Sequence, residues 1–139
     1  MKMSKKFKYN YFPNTNYDEF RLFKECQNLA ADILVASASA KKEYRFTICK
    51  RVHDLSCDLI HMVNLANAYR LGSDDRKEAQ NEIVHLILRI EELMPVLTRC
   101  RCISLNQEAV IVKSIGKIKT TYEFWMESDK KRIKQLQNK

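Results

Sequence analysis

The sequence predicts an all-α protein whose economical architecture is an up-down-up-down antiparallel four-helix bundle. Three observations point there. Only two Gly and two Pro interrupt 139 residues, so turn formers are scarce and helix formers dominate. Apolar residues recur at steps of three and four along four stretches, the spacing that buries one stripe of a helix. The breaks between those stretches are short, and short turns between long helices make neighbours antiparallel. The length is that of one domain with one core.

The first helix is expected over residues 17 to 38, with Leu22, Cys26, Leu29 and Ile33 as its stripe. Ser37-Ala38-Ser39-Ala40 is small and weakly helical and supplies a turn. The second helix spans residues 41 to 70, about 45 Å at 1.5 Å per residue, with Tyr44, Ile48, Val52, Leu55, Leu59, Met62, Ala66 and Tyr69 facing the core. It stops at Leu71-Gly72-Ser73, where Gly accepts the left-handed conformation that ends a helix and Ser caps the next. The third helix, residues 74 to 101, opens on Asp74, Asp75 and Glu78, acids that complement the positive end of the helix dipole. It carries Ala79, Ile83, Leu86, Ile90, Leu93, Leu97 and Cys100 inward, and Pro95 is expected to kink it or end it early. Ser104 followed by Gln107 is a capping-box pattern that opens the fourth helix, whose stripe is Ile111, Ile115, Ile118, Tyr122 and Trp125. Residues 1 to 16 form a basic, aromatic arm, residues 17 to 129 the bundle, and residues 130 to 139 a basic tail positioned to extend the last helix.

The formal charge is +8, yet it belongs to the ends. Lys2, Lys5, Lys6 and Lys8 meet no acid in residues 1 to 8, and Lys130, Lys131, Arg132, Lys134 and Lys139 meet none in residues 130 to 139. Those nine cations leave 16 Lys and Arg against 17 Asp and Glu between the tails. The body is near neutral but sorted. The bundle topology brings the start of helix 2, the end of helix 3 and the start of helix 4 to one pole, where Lys41, Lys42, Arg45, Lys50 and Arg51 meet Arg99, Arg101, Lys113 and Lys117. Asp18, Glu19, Asp74, Asp75 and Glu78 collect at the other pole. Lysines and arginines that neutralise phosphates supply most non-specific nucleic-acid affinity and need no base-reading motif, so the basic pole is the expected site. The same residues also suit an ordinary solvated helix end beside a C-terminal dipole.

No apolar run of signal-peptide or membrane-span length occurs, and five Cys without a regular framework read as reduced thiols. A cytoplasmic protein without a membrane association is expected. No Gly-rich phosphate loop, nucleophile elbow or CxxC pair is present, and His85 between Val84 and Leu86 reads as a bundle-edge residue. An enzyme is not expected, nor is a cofactor.

The segment Lys42-Glu43-Tyr44-Arg45-Phe46-Thr47-Ile48, continued by Arg51-Val52-His53-Asp54-Leu55, resembles the start of the second helix in a group of small bacterial four-helix proteins. The group comprises proteins encoded in ribosomal-RNA intervening sequences and the accessory variability determinants of diversity-generating retroelements. Leu65-Ala66-Asn67, Leu88-Arg89-Ile90 within the run from Glu82 to Leu97, and Phe124-Trp125 bring the chain nearer the retroelement branch. The likeness covers residues 29 to 126, by pattern more than by one motif. Members often carry Pro where this chain has Ser39-Ala40-Lys41, and Gly where it has Phe124. The resemblance implies a non-catalytic protein that assembles as a homo-oligomer, typically a pentamer, and binds a reverse transcriptase together with template RNA and cDNA through basic surface. The sister branch implies a ribosomal-RNA-associated bundle instead, and a helical scaffold or adaptor without a nucleic-acid role is the reading from another class.

Two further constellations carry expectations. Phe7, Lys8, Tyr9, Asn10, Tyr11 and Phe12 interleave aromatics with charge, as single-strand stacking platforms do, and also as a segment that packs across a bundle does. Cys49, His53, Cys57 and His61 stand one turn apart on helix 2, on the side opposite the Ile48 to Leu59 stripe. Four ligands rising over about 18 Å cannot converge on one ion. No metal site is expected, and with Phe46 and Ile60 these residues form a second, weakly polar face that reads as a subunit interface.

Overall fold

The protein was analysed as a computed structural model that describes residues 20 to 138. Four helices pack together, with no β-strand among the described residues. Helix α1 is Arg21–Ala36. Helix α2 begins with a short turn Lys42–Tyr44, widens into a π-helical turn Arg45–Cys49 and continues as Lys50–Ala68. Helices α3, Asp74–Arg99, and α4, Leu105–Gln137, complete the set. α1 and α3 each pack against both α2 and α4, which places α2 and α4 on opposite corners of the bundle.

The expected stripes of α1 and of the first half of α4 are buried as a unit: Leu22, Cys26, Leu29 and Ile33 close on Ile111, Ile115 and Ile118. Helix α2 keeps its predicted stripe, with Val52, Leu55, Leu59 and Ala66 buried, but the stripe is wider than expected. Cys49, three residues before Val52, and Val63, four after Leu59, are fully buried as well, while Tyr44, Ile48 and Met62 are only half-buried. In α3, Met94 takes the inward place next to half-buried Leu93, and α3 runs through Pro95 to Arg99 without ending early. Pro95 is exposed, so its missing donor lies on the side where water can reach the ladder.

The turns follow their chemistry. Gly72 has φ of 83°, the left-handed turn expected of it, and Ser73 caps α3 by accepting from the Arg76 amide at 3.2 Å. Ser104 and Gln107 form the reciprocal capping box, at 2.8 and 3.1 Å. At the α3–α4 turn the Cys102 amide donates to the Leu97 carbonyl at 2.8 Å and the Arg101 amide to that of Thr98 at 3.0 Å, the pair of bonds that closes a Schellman motif. Its left-handed position is held by Arg101, with φ of 61°, where Gly is usual.

The basic run after residue 129 continues α4 as helix to Gln137. The arm at residues 1 to 16, with the aromatic run from Phe7 to Phe12, and the acids Asp18 and Glu19 lie outside the described residues.

Candidate nucleic-acid interface

All nine cations expected at the basic pole are exposed. Lys41, Lys42, Arg45, Lys50 and Arg51 sit on the first turns of α2, Arg99 on the last turn of α3, and Arg101 on the turn after it. The two groups share one end of the molecule. Cys49 of α2 and Cys102 of the α3–α4 turn are buried in the same core, which sets these segments side by side. Burial first, and the Cys49 thiol second, push the Cys102 thiol up to about 12, so it stays protonated.

Lys113 and Lys117 are placed differently. With Ile111, Ile115 and Ile118 inward, steps of 100° put both lysines on the outer face of α4, diagonal to α2. The basic surface is therefore a cluster of seven residues at the α2 start and the α3–α4 turn, with a separate lysine pair on the flank of α4.

Several cations outside the cluster are paired. Along the bundle Arg21 pairs with Glu25 at 3.3 Å and Lys119 with Glu91 at 2.7 Å. Within the cluster only Lys50 has an acidic partner among the described residues, Asp54 at 2.7 Å. That pair is more than half exposed and worth little. The cations of the cluster are thus open to an outside anion.

The face that read as a subunit interface divides. Cys49, expected away from the core, lies inside it at 1 % exposure, three residues before buried Val52 and in the same core as Cys102. It cannot meet another subunit. His53 is half-buried toward α1, with its Nε2 3.0 Å from the Ser37 hydroxyl. Ser37 donates its proton to the Ile33 carbonyl at 2.7 Å, which leaves its oxygen to accept from Nε2–H and assigns the Nδ1-bare tautomer. Burial lowers the His53 pKa below its usual value, against a smaller opposing effect of Asp54. Ile60 is half-buried on the core edge, while Phe46, Cys57 and His61 are exposed. No group of three or more His, Cys, Asp or Glu among the described residues is placed to hold a metal ion.

The opposite end contains a feature the sequence did not announce. Arg76 and Asp129 form a buried bidentate ion pair, Nε to Oδ2 at 2.7 Å and Nη2 to Oδ1 at 2.9 Å. Gln80 donates to the same carboxylate at 2.8 Å, and Nη1 of Arg76 donates to the carbonyls of Ala66, Asn67 and Tyr69 that end α2. The guanidinium lies 5.3 Å over Trp125, whose ring also meets Phe20 and Tyr122 edge-on. One side chain thus caps α2, anchors α3 and holds α4. A cleft beside it is lined by Gly72, Lys77 and Lys130, but the charges at its floor already satisfy one another. No sequence signal pairs residues 53 apart, and an Arg in the first turn of an acidic helix start reads as solvated. The helical Lys130, Lys131, Arg132 and Lys134 follow Asp129 at this end.

No protein-family model matches the chain, and no curated protein is significantly similar to it. No helix among the described residues is long and apolar enough to cross a membrane.

Proposed function

We propose that the cluster at the α2 start and the α3–α4 turn binds nucleic acid, and that the chain is the non-catalytic accessory protein of a diversity-generating retroelement. In that role it docks on the reverse transcriptase and template RNA and supports mutagenic cDNA synthesis. One observation supports the binding surface above the others: Lys41, Lys42, Arg45, Arg51, Arg99 and Arg101 are exposed, gather at the α2 start and the α3–α4 turn, and have no acidic partner among the described residues. Placing like charges together without counter-ions costs stability, and a polyphosphate partner offsets that cost. The retroelement assignment rests on the resemblance around residues 42 to 55 and on the four-helix fold that goes with it. Assembly as a homo-oligomer, a ring of five by the same resemblance, is supported by exposed Val35 and Val110, which line the α1–α4 groove.

Reversing Lys41, Lys42, Arg99 and Arg101 to Glu tests the proposal. Loss of RNA and polymerase capture, with a melting temperature no lower than that of the wild type, is the expected result. Binding to RNA should also weaken steeply with salt, with a slope lowered by roughly 0.7 for each phosphate contact removed on a single strand. Affinity that survives the four reversals would refute the surface, and would return the chain to a scaffold role.

A further inference from the structure

We infer that Phe46 is a base-stacking residue, so that the basic end takes unpaired nucleotides rather than a duplex. This rests on the nucleic-acid reading of the same surface. Phe46 is 67 % exposed although it lies in the second turn from the start of α2, where a half-turn of rotation would carry it into the core. Tyr44 and Ile48, four residues apart, take the half-buried positions and leave Arg45, Phe46 and Thr47 outside. Lys42 and Lys50 stand one turn to either side of Phe46 and Arg45 beside it, all exposed, and Glu43 is the single acid between residues 41 and 51.

An aromatic ring set among cations on an exposed ridge matches what a single strand offers: a flexible chain of phosphates and bases with free π-faces. A duplex presents stacked bases and a regular phosphate track, to which an exposed ring adds nothing. RNA and single-stranded DNA share the chemistry the ring reads.

The test measures binding of the full chain to an unstructured RNA strand, to the DNA strand of the same sequence, and to the RNA duplex, by fluorescence anisotropy across salt. Phe46→Ala should weaken single-strand binding about tenfold, within the range for loss of one stacked base. The salt slope should stay unchanged, since no cation is lost, and so should duplex affinity. Phe46→Trp should keep single-strand affinity, with its added emission quenched on binding. An alanine variant that binds both the RNA and the DNA strand as wild type does, or that loses single strand and duplex equally, overturns the inference. So does a drop in particle mass by light scattering, which would assign Phe46 to a subunit contact. Paired reversal of Lys42 and Arg45 to Glu separates the two levels: if it leaves all binding intact, the nucleic-acid reading itself fails, whereas loss there with no effect of Phe46→Ala removes only the stacking role.

Discussion

Replacing Arg101 by Gly should make the protein more stable and a weaker nucleic-acid binder at once. Arg101 holds φ of 61° in the Schellman turn that ends α3, the one positive φ outside glycine among the described residues. A left-handed conformation costs an L-residue about 1 to 2 kcal/mol through contact of Cβ with the backbone. Glycine removes that strain, but it adds freedom to the unfolded chain worth about 0.5 to 1 kcal/mol. The difference favours the variant by about 0.5 to 1 kcal/mol, or about 2 to 4 °C in melting temperature for a chain of this size. The backbone bonds of the turn, from Cys102 to Leu97 and from Arg101 to Thr98, need no side chain and persist. Thermal melts followed by circular dichroism read the first half, and RNA titrations across salt read the second, where one phosphate contact lowers the slope by roughly 0.7. Arg101→Ala is the control: it loses the cation and keeps the strain, so its binding should fall while its melting temperature does not rise. A glycine variant that melts no higher than the alanine variant would refute the strain argument. A glycine variant that binds RNA as wild type does would remove Arg101 from the interface. A strained residue retained at a candidate binding surface is the pattern expected where function opposes stability.

Two further outcomes follow from the described contacts. Asp129→Ala leaves the Arg76 guanidinium buried without its counter-ion and should cost about 3 to 5 kcal/mol in chemical denaturation, whereas joint replacement of Arg76 by Met and Asp129 by Leu should come far closer to wild type. Equal losses in the single and double variants would show that the pair holds the fold by more than mutual compensation. His53 has its pKa lowered in the folded state, so the unfolded chain takes up this proton first; stability should be complete above pH 6.5 and decline as pH falls below it. His53→Gln should flatten that part of the profile, and identical wild-type and variant profiles between pH 5 and 7 would exclude the histidine as its source.

Much of the fold was readable because each helix carries local instructions. The stripe of Leu22, Cys26, Leu29 and Ile33, the Gly72 turn and the Ser104 capping box involve residues within a few positions of one another, and short-range geometry decides them. The π-helical turn at the start of α2 and the burial of Cys49 were not readable, because the first leaves no mark in composition and the second depends on the α3–α4 turn that lies against it. The candidate site was legible in part. Chain order alone brings the start of α2 to the α3–α4 turn, and with it Lys41 to Arg51 beside Arg99 and Arg101. Lys113 and Lys117 share that pole in sequence order but look outward from α4, because which way a helix turns its polar side depends on where its neighbours stand.

The sequence was sufficient for the number and order of the helices and for which end of the bundle gathers unpaired cations, since spacing and turn chemistry are local. Packing of distant segments was required for the union of Arg76, Gln80 and Asp129 in the interior and for the burial of Cys49 and Cys102 in one core. Each depends on desolvation and on contacts between residues far apart in the chain, and neither is written into the pattern of any one helix.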